Sequence, residues 1–572
     1  MSTGDQAAEF EERADQLSLA DIESTLSDGQ IFRRARQKLL NKGAKLLVGP
    51  RGTGKTHLMR FTYLQAMKDS KAPLAAYANF SRYLGLEPLL KRSPDALSRF
   101  HSWVVARLIL SAFDLINDLA GQHTSVKPSS LTRLNPLLEE ASIREFVGLI
   151  ERNSGSAEYD SLGQFLTVDL AIEVFHFLAK KYQRSRVVLL LDDAALSLTD
   201  EYLIAFFEIY RLLKTEMIAP KASVYPGSTQ YGPRFHASHE SQNIELWLSV
   251  EDPEYLSIMG DIGHRRLAEQ VAAIPEDTLD HFKYIAFGTP RAYLRMIREY
   301  VESRTGSAQS KVNRVTDKQV DLLWSEYDSL AFKLKQFTSV IQTGRAFIEN
   351  AVRIIADGQD EFGLQKSIVL GLQEDADRSP LAERMLRFLI EIGLLYPFNS
   401  PVSHGRERRY DRYIVHLAFL NAAGTFRVGR GTSPRDLPSY MQRSAAKHPI
   451  RTQLAKLLGP SHISNLVLDL PSCQRCGTAR ISDSQKFCHH CGEQLVVASL
   501  FEECMRLPLG EVPGISTSLL DRLKSDTRLR SVGDVYSSQN PGSDLQKASY
   551  IGPKRASGII DAVGVVVAEF LS

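Results

Sequence analysis

Two patterns in this chain have the residue types and spacing for chemistry. The first is Gly49-Pro50-Arg51-Gly52-Thr53-Gly54-Lys55-Thr56-His57, which fits G-x-x-x-x-G-K-[ST] at every fixed position. Glycines let backbone N–H groups turn inward around phosphate oxygens, and a following helix adds its free N–H groups and dipole. Lys55 would reach the β- and γ-phosphates, and the Thr56 hydroxyl would ligate Mg2+. The expected ligand is ATP with Mg2+. The second pattern is Cys473-x-x-Cys476-Gly and Cys488-x-x-Cys491-Gly, two knuckles separated by eleven residues. Each turn aims two thiolates at one point, and two turns complete a tetrahedral site for structural Zn2+. So short a segment buries little core, so metal binding supplies its folding energy. His489 and His490 would break the paired symmetry as ligands, and Cys504 stands alone as a packed thiol.

A phosphate loop needs a strand before it and a helix after it. Ala44 to Val48 is a short apolar run, and a helical pattern continues from the loop through Met67. Leu74 to Asn79 reads as a second strand. Val187 to Leu191 is apolar and β-branched-rich, the look of a central parallel strand, and ends in Asp192 and Asp193. Asp192, on a neighbouring strand tip, would hold Mg2+, often through water. A helix over 200–214, a strand from Ala222 to Tyr225 and another from Asn243 to Val250 complete the alternation of a parallel α/β domain.

The order of phosphate loop, VVLLLDD, VYPGST and FGTPRAYL resembles an AAA+ ATPase. It is most similar to the origin-recognition initiator branch and the related STAND NTPases, over roughly residues 30 to 430. The resemblance implies that Asp193 stands where many such ATPases carry a glutamate that polarises the attacking water. It puts Ser228 or Thr229 in the sensor-1 region and makes Arg291 the sensor-2 arginine on the lid. Arg234, Arg265 and Arg266 are candidates for a finger acting in trans, which would require a homo-oligomer. Aspartate is one methylene shorter than glutamate, which leaves two readings open: slow hydrolysis, or a bound nucleotide used as a switch. The long helical stretch between Asn79 and Arg186 departs from the family and argues against simple ring assembly.

Three segments are candidates for nucleic acid. Tyr550-Ile551-Gly552-Pro553-Lys554-Arg555-Ala556 resembles the second half of a helix-hairpin-helix, and Val512-Pro513-Gly514-Ile515 a first copy. In that family backbone N–H groups bind a DNA phosphate irrespective of sequence, and Lys554 and Arg555 would add charge-assisted contacts. Tyr550 replaces the first glycine of one turn and Ser516 the second of the other. Arg406, Arg408 and Arg409 form the tip of a winged-helix-like pattern, suited to phosphate contact or minor-groove insertion. The competing readings are a solvated charged loop and a small helical protein-interaction domain.

The chain has 572 residues and a formal net charge of +2, so no global basic excess advertises nucleic acid and any such surface is local. Hydrophobic residues make up 43% and charged residues 24%, which excludes a largely disordered chain or a rod. No apolar run approaches the roughly 20 residues that span a bilayer. The polar N-terminus is no secretory signal, and clustered cysteines point to a reducing cytoplasm. The expected fold is multidomain: a flexible leader (1–20), an α/β P-loop NTPase core (21–253) with a helical insertion about 81–182, and a helical lid (254–303). Then follow a helical region (304–375), a winged-helix-like domain (376–430), a basic linker (431–471), a zinc ribbon (472–496) and a small all-α domain (505–572). Duplex DNA is the expected partner. The alternative is a protein docked through the ribbon or tail.

Overall fold

The computed structural model describes residues 14, 17–80, 86, 95–120, 126–151, 157–193, 200–226, 229, 231, 234–303, 306–357, 367–374, 378–398, 401–404, 408–427, 433–443, 449–467, 469, 473, 475–478, 487–495, 504–513, 515–536, 538 and 540–571. It opens with α1 (Leu19–Thr25), α2 (Gln30–Leu40), β1 (Lys45–Val48), α3 (Lys55–Lys68) and β2 (Leu74–Asn79). Among the described residues five helices follow: α4 (Ala96–Asp118), α5 (Ser129–Leu134), α6 (Glu140–Glu151), α7 (Ala157–Phe165) and α8 (Val168–Lys181). Then come β3 (Val187–Asp192), α9 (Asp200–Leu212), β4 (Ile218–Val224), α10 (Ala237–Glu240) and β5 (Gln242–Glu245).

These five strands form one sheet in the order β2-β3-β4-β1-β5, every pair parallel. Every residue of β1, β3 and β4 is buried, as apolar strands covered on both faces require. The acid-bearing strand β3 is not the hydrogen-bonded neighbour of β1 that the sequence suggested, because β4 lies between them. β4 also begins earlier than expected, at Ile218, and runs through Pro220. A proline is uncommon in a central strand, which is why the pattern alone starts it later. Its carbonyl is used: the Tyr210 hydroxyl donates to Pro220 O at 3.1 Å and to Lys45 O at 2.8 Å.

The helical stretch after β2 is not merely appended. Trp103, Val105, Ala106, Leu108, Ile109, Ala112 and Leu115 of α4 are fully buried, all round the helix. It packs on β2 and α9, with Phe100 stacked on Tyr202 at 4.4 Å between ring centroids. A parallel β2–β3 connection needs a crossover helix over the sheet face, and α4 fills that place.

Beyond the sheet lie α11 (Tyr255–Ala272), α12 (Glu276–Ile285), α13 (Pro290–Glu302), α14 (Ala308–Lys333) and α15 (Thr338–Asp357). A second sheet follows. It contains β6 (Val369–Gln373), β7 (Leu395–Pro397), β8 (Val402–His404) and β9 (Arg408–Val415), preceded in part by α16 (Pro380–Ile392). Ser379 caps α16 with Pro380 behind it, and Gly393 ends it at φ +87°, the favoured chemistry at each end. The helix and strands lie within the stretch read as winged-helix-like, the tip at 405–407 lies outside the described residues, and the sheet is wider than that pattern. After α17 (Leu417–Ala422) and α18 (Asp436–Arg443), β10 (Ile450–Thr452) pairs parallel with β6. α19 (Leu454–Ser464) then packs on α15, where the Asn350 amide donates to Leu457 O at 3.0 Å. The stretch read as a basic linker thus supplies a strand and a helix to this unit. Three-residue strands carry too little periodicity to be seen in a sequence.

The C-terminal unit is α20 (Thr517–Asp526), α21 (Val532–Tyr536), α22 (Pro541–Gln546) and α23 (Pro553–Leu571), around buried Leu523, Val532, Leu545, Ile551, Ala556 and Ile559. Among the described residues no helix is long and apolar enough to cross a membrane.

Candidate nucleotide site and metal centre

β1 delivers the chain to Gly49, where a Cβ would lie 2.7 Å from Leu246 O and 2.8 Å from Thr53 Oγ1. Gly52 and Gly54 have φ of +80° and +93°, a conformation that costs an L-residue about 1–2 kcal/mol. Gly54 caps α3, and Lys55 is the first helical residue. The Lys55 side chain is folded into the loop. Its Nζ donates to Gly49 O at 2.5 Å and to Pro50 O at 2.9 Å, and Thr53 Oγ1 donates to Pro50 O at 3.0 Å. Burial pulls the Lys55 ammonium down to about 7, against Asp193 and Asp192, which favour its charge. Thr56 follows in the first turn of α3, half-buried.

Asp192 ends β3 fully buried. It accepts from the Tyr77 hydroxyl at 2.8 Å, the Ser223 hydroxyl at 2.8 Å and the Asp193 N–H at 3.0 Å. Three of a carboxylate's roughly four lone-pair positions are therefore used. What remains fits Mg2+ held through a water better than a directly bound ion. Asp193 lies in the left-handed region at φ +52°, and its N–H also donates to Ser223 Oγ at 2.8 Å. A phosphate loop at the carboxyl end of β1, with paired acids at the same end of β3 in an all-parallel sheet, decides the architecture. This is an α/β P-loop NTPase core.

Two residues of that core were not singled out from the sequence. Ser223 and Tyr225 lie two apart at the end of β4 and so face the same way. Ser223 organises both aspartates, while the Tyr225 hydroxyl donates to Asp193 Oδ1 at 3.3 Å. The Tyr225 ring lies 4.1 Å from Lys55 Nζ and 5.6 Å from the Arg51 guanidinium carbon. Burial, then the Asp193 charge, pushes the Tyr225 hydroxyl well above its ordinary range. The available signal was a polar residue two positions before an aromatic at a strand end.

Thr229 Oγ1 donates to Tyr225 O at 2.8 Å, closing its own turn, and Ser228 lies outside the described residues. The His57 ring lies against α1, 3.2 Å from Ile22 O, and burial pulls it down to about 4. Arg291 sits beside the P-loop: its N–H donates to Gly52 O at 3.4 Å. Arg234 pairs with Glu208 at 3.3 Å and Arg265 with Asp261 at 2.8 Å. Next to Thr53, a small apolar crevice of about 10 Å³, room for a single water, is lined by Ile31, Phe32, Leu246, Leu248, Met259 and Ile262.

The second sheet abuts the P-loop core. A Cβ on Gly393 would lie 3.9 Å from Pro50 Cβ and 3.7 Å from the Trp247 ring. Trp247 donates to Phe287 O at 2.9 Å and meets Tyr396 edge-on at 4.8 Å between centroids. Phe287 also packs on His416 at 4.7 Å, and burial pulls that imidazole down to about 3.

The four cysteines converge. The Sγ atoms of Cys473, Cys476, Cys488 and Cys491 all lie within 4.8 Å of one another, with Cys473–Cys491 and Cys476–Cys488 each at 3.5 Å. A tetrahedron with Zn–S bonds of about 2.3 Å has an edge of roughly 3.8 Å, so the donor set fits zinc. The knuckles are equivalent: Gly477 N donates to Cys473 O at 2.8 Å and Gly492 N to Cys488 O at 2.9 Å, and both glycines have φ +72°. Cys504 is buried apart from them, its thiol pushed up to about 12 by burial.

The nucleic-acid candidates are only partly placed. Gly514 and Arg406 lie outside the described residues, as does the Arg408 side chain. Arg409 lies 3.6 Å from Glu374. Gly552 and Lys554 are exposed at the start of α23. Arg555 donates to Tyr550 O at 2.8 Å. Tyr550 has a left-handed backbone at φ +64°, with its ring exposed under Arg522 at 4.5 Å.

No protein-family model matches the chain, and no curated protein sequence matches it. Among solved structures it is similar to the Walker-type ATPase PABY2304 of Pyrococcus abyssi, at 12% identity and TM-score 0.34, over 70% of this chain and 96% of that one. It is also similar to the Aeropyrum pernix ORC1 protein in complex with DNA, at 13% identity and TM-score 0.26, over 70% and 93%. Likeness at this level adds nothing to the geometry about activity or partners.

Proposed function

We propose that this chain is an ATP-binding AAA+ ATPase whose nucleotide state governs its contact with duplex DNA. The observation that carries the reading is the meeting of Lys55, Asp193 and Tyr225 at one end of the parallel sheet, with Arg291 against Gly52. In this reading the N–H groups from Gly52 to Thr56 cradle the phosphates, and Lys55 leaves its loop carbonyls for the β- and γ-oxygens. Thr56, and Asp192 through a water, would hold Mg2+, which would neutralise charge on the phosphates. Asp193 orients a water in line with the γ-phosphorus, giving ADP and phosphate. Arg291 reports the γ-phosphate to the lid.

The route to DNA would run through the approach of Gly393 to the phosphate loop, where a Cβ on Gly393 would lie 3.9 Å from Pro50 Cβ. Zinc ribbon and C-terminal hairpin would add phosphate contacts through Lys554 and Arg555, in a reducing cytoplasm. The test is ATP turnover with and without duplex DNA, alongside Lys55→Ala. Turnover raised by DNA and lost in Lys55→Ala supports the reading. DNA affinity should fall steeply with salt, as phosphate contacts require.

One observation favours a second reading. The short Asp193 carboxylate is tied to the Tyr225 hydroxyl, which suits a nucleotide-controlled protein-interaction switch with little turnover. Tight ATP binding without turnover, unchanged by DNA, would select it, and a partner docked through ribbon or tail would then be sought.

A further inference from the structure

Arg51 occupies a variable position of the phosphate loop. Among the described residues it makes no ion pair within 4 Å; its guanidinium carbon lies 5.6 Å from the centroid of the Tyr225 ring, and the charges of Glu326, Glu391 and Asp193 favour it from further off. Lys55 Nζ is 4.1 Å from the centroid of that same ring. Two cations of one loop therefore share one aromatic ring. Left to themselves they repel, and each disfavours the other's charge. The ring's negative quadrupole offsets this, more strongly because Tyr225 is only 7% exposed. The backbone of Tyr225 is fixed as well. Its N–H donates to Thr229 Oγ1 at 3.3 Å and its carbonyl accepts from the same hydroxyl at 2.8 Å. Of the three finger candidates, Arg234 pairs with Glu208 at 3.3 Å and Arg265 with Asp261 at 2.8 Å, both at the surface.

We propose that Tyr225 is a positioning residue whose ring face holds Arg51 beside Lys55, so that both cations address the terminal phosphate of a nucleotide bound in the same chain. This deepens the ATP-binding reading and rests on it. A second loop cation is then supplied in cis, in addition to Arg291 of the lid, and discrimination of ATP from ADP needs no arginine from another subunit. The ring does this work. The hydroxyl is turned to Asp193 and is not required for it.

The test is the dissociation constant for ATP and for ADP of the full-length protein and of Tyr225→Phe, Tyr225→Leu, Arg51→Ala and the Arg51→Ala/Tyr225→Leu double variant. Lys55→Ala serves as the reference for loss of the phosphate loop. Tyr225→Phe keeps the ring and should stay within about threefold of the parent for ATP. Tyr225→Leu should bind ATP about tenfold or more weakly, with a smaller change for ADP, the scale of a desolvated cation–π pair. The loss should shrink in the Arg51→Ala background, because contacting residues are not additive. Equal behaviour of the Phe and Leu variants overturns the proposal, as does equal loss for ATP and ADP. If Tyr225→Leu does not fold, Arg51→Ala decides: it must weaken ATP more than ADP, or the proposal falls. ATP affinity unmoved by Lys55→Ala would instead sink the phosphate-loop reading itself.

Discussion

The carbonyl of Gly52 accepts the N–H of Arg291, 3.4 Å away, so the phosphate loop and the lid touch through backbone. A Cβ on Gly52 would come 2.8 Å from Thr289 Cγ2 and 3.1 Å from Arg291 Cβ. At Gly54 a Cβ would meet nothing within 4 Å, though φ is +93°. Gly52→Ala should therefore cost more than Gly54→Ala. Both carry about 1–2 kcal/mol of left-handed strain, and the first adds a clash with the lid. Thermal unfolding without nucleotide measures the difference. Equal melting temperatures would mean that the lid is not seated on Gly52.

Lys55 makes ATP binding a proton-linked event. Its folded value of about 7 lies below the ordinary lysine value of 10.5. Between those values the unfolded chain holds the proton and the folded chain does not, so this lysine's contribution to stability rises with pH across that window. A bound phosphate favours the ammonium again. Near pH 8, ATP binding should take up a proton, and its calorimetric enthalpy should vary with buffer ionisation enthalpy. Lys55→Met should abolish that variation at its source. The same buffer dependence in Lys55→Met would assign the proton to another group.

The four thiols should hold about one zinc ion per chain. Cys488→Ser should lose the ion and unfold the ribbon, while the P-loop core keeps its melting transition, since Cys473, Cys488 and Leu495 form a small core of their own. Metal analysis and calorimetry on the same sample check both halves. A core that melts along with the ribbon would show that the two are energetically coupled.

The Trp247–Tyr396 contact should carry stability between the two sheets. Tyr396→Ala removes the edge-on ring at 4.8 Å and should cost roughly 2–3 kcal/mol. It should also red-shift tryptophan emission as Trp247 meets water. If nucleotide acts on the second sheet through this junction, the ATP-induced change in emission should be lost in the same variant. A wild-type-like emission change would place the route elsewhere.

The phosphate loop, the paired acids and the cysteine knuckles were legible because their chemistry lies in contiguous residues at fixed spacing. The β3 strand was legible because a strand buried on both faces must be apolar throughout. What the sequence could not rank was neighbourhood. That β4 lies between β1 and β3 follows from how the crossovers wind, and α4 is a crossover rather than an ornament because a bare sheet face must be covered. Ser223 and Tyr225 join the site only because that winding puts the end of β4 between the loop and the acids. The place of Gly393 against Pro50 is likewise a product of packing, since residues more than 300 positions apart leave no local periodicity to read. Sequence determined which groups can meet phosphate and metal. Tertiary structure decided which aromatic ring and which hydroxyl stand beside them, because side-chain neighbours in a parallel sheet are set by strand order and not by chain order.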